Sequence, residues 1–265
     1  MKTSMSNQKT IVAFLVLLIP SGASASILYS KGIFVQEYWQ DGKLFYAVGN
    51  ANDDDLTINV LDDEGDILAG PWKIAARSTG TFALDTPRET KWVHFRRKNG
   101  SVIGALRAPQ PLKFEKPAMT GMVRSVNGLN GSGGRREDVC VEQSATTYKP
   151  GSVIDITVIL PSDNSVITFT RKAPSHPYPW PRKIQRLEII DAKSETLPIF
   201  SDDEKIETDV GSAIREQPHH KLNLRFRVPK VDSPQMLNIE GWRRFAPGIS
   251  GHTIARGILV DPNLK

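Results

Sequence analysis

Between Leu44 and Leu84 the chain never runs far without a turn signal. Short apolar runs alternate with clusters of Asn, Asp, Gly and Ser: LFYAVGNANDDDLTINVLDDEGDILAGPWKIAARSTGTFAL. An average helix needs about 11–12 residues, and no segment here supplies them without a break. The Leu56-Thr57-Ile58-Asn59-Val60 run sets Leu56, Ile58 and Val60 on one face and Thr57 and Asn59 on the other. A period of two is what a half-buried strand requires. Upstream, Ile33-Phe34-Val35 and Leu44 to Val48 flank Gln40-Asp41-Gly42-Lys43. Asp-Gly between apolar runs is a strong hairpin signal. Further runs at Ile67-Leu68, Thr81 to Leu84, Trp92 to Phe95 and Val102 to Leu106 bring the total to about seven strands, with a turn signal every ~10 residues. That spacing predicts an antiparallel sandwich over residues 26–114.

Residues 107–136 change character. Pro109, Pro111 and Pro117 come first, followed by Asn127-Gly128-Leu129-Asn130-Gly131-Ser132-Gly133-Gly134. The composition predicts a linker or long loop over 115–136. From 137 to 265 the strand grammar returns. Val153 to Leu160 keeps Ile154, Ile156, Val158 and Leu160 in phase, and Leu222 to Val228 alternates as cleanly. Val166 to Thr170, Leu187 to Ile189, Met236 to Ile239 and Ile254 to Val260 complete a second sandwich. Pro174-Ser175-His176-Pro177-Tyr178-Pro179-Trp180-Pro181 reads as an extended polyproline-like surface segment, because its prolines lack a backbone donor. Asp202 to Asp209 reads as an acidic loop, and Gly241 to Gly248 as a loop with a short helical turn. The fold class expected is all-β: two antiparallel immunoglobulin-like β-sandwich domains in tandem after a signal peptide.

The first 25 residues have the layout of that signal. Lys2 and Lys9 precede an apolar run from Ile11 to Ile19, Pro20-Ser21-Gly22 breaks it, and Ala23-Ser24-Ala25 fits the small-residue rule for cleavage. The run is about half the ~20 residues a spanning helix needs. A periplasmic or secreted location follows, with no membrane span after signal removal. The only cysteine, Cys140, sits in Val139-Cys140-Val141 and cannot close an intramolecular disulfide, so a hydrophobic core must hold the exported chain together. Without Lys2 and Lys9, 32 basic residues face 29 acidic ones, a charge of +3. Residues 26–115 carry −1 and residues 116–265 carry +4. A surplus so small and dispersed argues against a nucleic-acid partner.

Catalytic patterns are not met. Gly131-Ser132-Gly133-Gly134 has the glycine-flanked serine of trypsin-like proteases, but the only upstream histidine, His94, lies inside a predicted strand, and there is no Gly-x-Ser-x-Gly elbow. His219-His220 would point to opposite faces of a strand, so the pair reads as an exposed loop before Leu222 rather than a metal site. Asp53-Asp54-Asp55 and Asp62-Asp63-Glu64-Gly65-Asp66 lack EF-hand spacing and read as solvated turns. No cofactor and no metal is expected.

Two features read as binding surfaces. Tyr178 and Trp180, separated by prolines, would project from a stiff segment at little ordering cost. Arg225 and Arg227 share the polar face of their strand, where a guanidinium fork can hold a carboxylate. The function expected is an exported, non-enzymatic protein that binds another protein of the cell envelope, as an assembly factor, chaperone-like component or scaffold. In length and tandem layout such a chain is similar to the periplasmic chaperones of surface fibres. The alternative is a carbohydrate-binding module pair using Tyr178, Trp180 and Trp242. An enzyme with a site assembled in the domain cleft is a third reading.

Overall fold

A computed structural model describes residues 27–85, 90–108, 123–130, 136–176, 186–245 and 252–265. The expected signal peptide (1–25), the glycine tract 131–134 and the aromatic pair Tyr178 and Trp180 lie outside the described residues. The chain is all-β, as its spacing predicted. The strands of the first half are β1 (Ile27–Ser30), β2 (Ile33–Gln40), β3 (Lys43–Asn50), β4 (Leu56–Leu61), β5 (Ile67–Ile74), β6 (Ser78–Leu84), β7 (Trp92–Arg97) and β8 (Val102–Arg107). The second half begins with β9 (Val123–Asn130), β10 (Arg136–Gln143), β11 (Thr147–Tyr148), β12 (Val153–Pro161), β13 (Ser165–Thr170) and β14 (Lys172–His176). It continues with β15 (Arg186–Lys193), β16 (Ile199–Ser201), β17 (Lys205–Asp209), β18 (His219–Arg227), β19 (Gln235–Phe245) and β20 (His252–Val260). Among the described residues there is one 3₁₀ turn, Val210–Ser212, capped by the Asp209 carboxylate.

In the first half a four-stranded sheet, β5-β4-β7-β8, faces a sheet of β1, β2, β3 and β6. The β2–β3 hairpin turns at Asp41 and Gly42, both with positive φ (50° and 75°), which is the backbone the Asp-Gly pair favours. Alternation on each strand then delivers one core: Ile33, Val35, Tyr46, Val48, Ile58, Val60, Trp72 and Phe95 are buried together. Trp72 stacks on Phe82 with centroids 4.8 Å apart, and Phe95 meets Tyr46 edge-on at 5.4 Å.

The second core lies between β15-β18-β12-β10-β9 and β16-β17-β13-β19-β20-β11. Ile154, Ile156, Val158 and Leu160 on β12 and Leu222, Leu224 and Phe226 on β18 supply one wall; Ile167, Phe169, Ile239 and Ile258 supply the other. β14 joins the two layers. Lys172 to Pro174 pair with β15, whereas Ser175 and His176 pair with β19. The exchange of partners falls at Pro174, which has no N–H to continue a ladder. Pairing is antiparallel throughout the described ladders except between β11 and β20.

Four expectations are corrected. Residues 123–130, expected within a linker or loop, form β9, which pairs with β10 over Val123 to Asn130 and touches β2 at Arg124↔Trp39. The polyproline-like reading fails for its first three residues, Pro174 to His176, which belong to the layer-crossing strand β14; its remainder, 177–181, lies outside the described residues. β19 continues through Gly241 to Phe245 because β20 pairs with it from Gln235 to Arg243, so no loop or helical turn forms there. The acidic stretch after Glu204 is strand β17, with Ile206 and Thr208 buried and Glu207 and Asp209 on the other face.

The two cores are joined by a third. The faces of β2 and β3 turned away from the first core carry Phe34, Tyr38 and Ala47, and these are buried with Met236 and Leu259 from the outer face of β19 and β20. Gly49 and Gly257 let the layers approach. A Cβ at Gly49 would sit 2.9 Å from Leu259 Cδ1, and one at Gly257 would come within 3.0 Å of Gln36 Oε1 on β2, besides colliding with Met236 of its own sheet. Hydrogen bonds flank the contact. Thr79 Oγ1 donates to Asp261 Oδ2 at 2.7 Å, and Asn263 Nδ2 donates to the Arg77 carbonyl at 2.6 Å. The Tyr38 hydroxyl bonds Thr81 in one half and Thr146 in the other.

Candidate functional sites on the outer sheet faces

The outward face of β15-β18-β12 carries the arginine pair. β18 alternates without exception, with His220, Leu222, Leu224 and Phe226 buried and His219, Lys221, Asn223, Arg225 and Arg227 exposed. Register sets the rows across the sheet: Asp191, Arg225 and Asp155 form one, and Glu188, Arg227 and Val153 form the next. Arg225 clamps Asp155 through both forks, Nε to Oδ1 at 2.7 Å and Nη2 to Oδ2 at 2.9 Å. That hydrogen-bonded guanidinium holds the Asp155 carboxyl below the usual carboxylate range, and the pair raises Arg225 in return. The fork of Arg225 is therefore filled from within. Arg227 differs: among the described residues it makes no ion pair, and its neighbour Val153 is an apolar side chain 55% exposed.

A second outward face lies on β17-β13-β19. Thr168 is opposite Glu207 on one side and Trp242 on the other. Around this row Thr168, Lys205, Glu207, Trp242 and Arg244 line a shallow cavity of about 360 Å³. Glu207 Oε2 accepts from Thr168 Oγ1 at 3.1 Å and lies 3.4 Å from Arg244 Nη2 and 3.5 Å from Lys205 Nζ. Trp242 is 53% exposed, although it stands in the interior of a sheet. Trp242 was legible as an aromatic candidate. Its companions were not, because Lys205 and Glu207 sit in what reads as an acidic loop; the alternation Lys205-Ile206-Glu207-Thr208 is the signal that would have found them.

The histidine pair and the acidic turns are tied into the fold. His219 and His220 belong to β18 rather than to a loop, and they point to opposite faces. His220 is buried, with Nδ1 3.1 Å from Thr196 Oγ1 and Nε2 3.3 Å from Ser162 Oγ, and desolvation depresses its pKa. The acidic turns bind backbone. Asp62 Oδ1 accepts from the N–H groups of Glu64 and Asp66, and Asp63 accepts from those of Lys91 and Trp92 and meets His94 Nε2 at 3.2 Å. Those contacts, with the Lys91 amide foremost, pull the Asp63 carboxyl below its ordinary range. Cys140 is buried. Among the described residues no group of three His, Cys, Asp or Glu side chains is placed to hold a metal ion, and no helix is long and apolar enough to cross a membrane.

No protein-family model matches the chain, and no curated protein matches it. Among solved structures it is similar to BcpA*(D312A), the major pilin subunit of Bacillus cereus, at 10% identity over 78% of this chain and 64% of that one, with a TM-score of 0.27. It is also similar to a chain described as a membrane anchored protein from Corynebacterium diphtheriae, at 9% identity over 88% of this chain, with a TM-score of 0.27. The chain thus spans less than two thirds of the length of either, 64% and 59%. What the chain belongs to by its own geometry is the β-sandwich class, with two sandwich cores fused through a third apolar layer.

Proposed function

We propose that the chain is an exported, non-enzymatic protein of two β-sandwich domains, 26–114 and 137–265, that acts in the periplasm or outside the cell by binding another protein of the envelope. The observation that carries the reading is Arg227. It stands on a central strand, exposed, between a half-buried glutamate and an exposed valine, with its fork unused among the described residues. A partner that brings a carboxylate and a small apolar side chain would satisfy both groups at once. Arg225 in the adjacent row is already clamped to Asp155, which orders that part of the surface in advance. The buried layer between the halves favours a scaffold that presents this face in a fixed orientation.

The test is a crosslinking pull-down from an envelope fraction with the wild-type chain, Arg227→Glu and Arg225→Ala. A specific partner retained by wild type and lost with Arg227→Glu supports the reading. Arg225→Ala should weaken capture less. Equal capture by all three chains removes this face from the function.

A further inference from the structure

The Trp242 groove is separate from the Arg227 face, and we propose that it is a binding site for a saccharide. The first argument is the position of the indole. β19 is paired with β13 at Thr168↔Trp242 and with β20 at Trp242↔Thr253, so Trp242 neither plugs an edge nor covers a core. A large aromatic surface held half in water on a regular strand is an unused contact area. The second argument is what surrounds it. The carboxylate of Glu207 is steadied through one oxygen, Oε2, by Thr168, Lys205 and Arg244, and those three bonds leave Oε1 untouched. The Arg244 and Lys205 side chains are 62% and 50% exposed, so both keep donors for a ligand.

The chemistry of the site selects among ligands. A pyranose has an apolar C–H face that stacks on an indole and a ring of hydroxyls that can donate to a carboxylate oxygen and accept from a guanidinium. A peptide added as a strand would need free backbone groups, and here β16, β17, β13, β19 and β20 pair in an unbroken ladder, so only side chains are on offer. A polyphosphate would meet two cations already shared with Glu207. The cavity, about 360 Å³, lies at the small end of ligand clefts, which run from about 300 to 1,000 Å³, and fits a short oligosaccharide.

The experiment is a glycan array of neutral and uronic-acid-containing oligosaccharides, probed with the full chain, Trp242→Ala, Glu207→Gln and Arg227→Glu, followed by calorimetric titration of the strongest ligand. Wild type and Arg227→Glu should bind alike. Trp242→Ala should lose about tenfold or more in affinity, the equivalent of one stacking contact, and Glu207→Gln several-fold. Should Trp242→Ala melt early, Trp242→Phe is expected to keep the fold and part of the affinity. Binding confined to the acidic glycans would assign Arg244 and Lys205 to the acid group, and binding to neutral ones would assign Glu207 to the hydroxyls; both uphold the site. An array on which wild type binds nothing, or on which Trp242→Ala binds as wild type does, overturns it and leaves the Arg227 reading standing.

Discussion

Leu259→Ala tests whether the two sandwiches form one body. Leu259 lies on the side of β20 turned away from the second core, and it is completely buried only because β2 and β3 cover it. Removing three carbons at about 0.8 kcal/mol per methylene costs about 2.4 kcal/mol in transfer alone. The neighbouring Phe34, Tyr38 and Met236 sit on regular strands and cannot close the gap fully, so a cavity cost brings the total to about 3 kcal/mol. Were the sandwiches independent beads, the same residue would be a surface side chain, and its loss would fall within about 0.5 kcal/mol. Urea unfolding followed by tryptophan fluorescence and far-UV dichroism reads the difference from the midpoint at constant slope. A double-mutant cycle with Phe34→Ala guards against a defect local to β20, since side chains packed together across the layer should couple by about 0.5–3 kcal/mol. A loss below about 1 kcal/mol with no coupling would refute the joined arrangement.

The other expectations concern single contacts. His220 is buried and neutral with its folded pKa depressed, so its contribution is complete above the unfolded pKa of about 6.5 and is lost as pH falls below it; the urea midpoint should drop between pH 7.5 and pH 5, and His220→Gln should flatten that dependence. Arg171 ties three segments together, donating to the carbonyls of Asp202 and Ile189 and to the Ser201 hydroxyl. Arg171→Lys loses the planar fork and should destabilise by about 1–3 kcal/mol in the same assay, and an unchanged midpoint would show the clamp to be idle. Arg227→Glu and Trp242→Ala should leave the melting temperature near that of wild type, because both side chains are exposed; a steep drop in either would reassign it to the fold.

Local rules carried the strands whose partners are near or whose two faces differ. The Asp41-Gly42 hairpin, Leu56 to Val60 and Leu222 to Val228 were legible because turn chemistry and a period of two act within a few residues. The Arg225 and Arg227 face was legible for the same reason. The filling of Arg225 was not, since Asp155 lies 70 residues away and meets it only through β12–β18 register. The same holds for β9, whose glycine-rich sequence looks like a linker until β10 supplies its ladder. It holds also for β17, whose alternation is hidden in a stretch of five carboxylates, Asp202, Asp203, Glu204, Glu207 and Asp209.

The alternation of the sequence by itself determined an all-β chain and named which residues of a strand share a face. It could not say what covers that face. Ile33-Phe34-Val35 and Phe45-Tyr46-Ala47 run apolar without a polar alternate, which is the mark of a strand buried on both sides. What lies on the second side is Met236 and Leu259, some two hundred residues on. Only the tertiary structure decided that the two sandwiches share a buried layer, and with it which outward faces stay open to a partner. Periodicity is a property of one strand, whereas the covering of a face depends on surfaces brought together from distant parts of the chain.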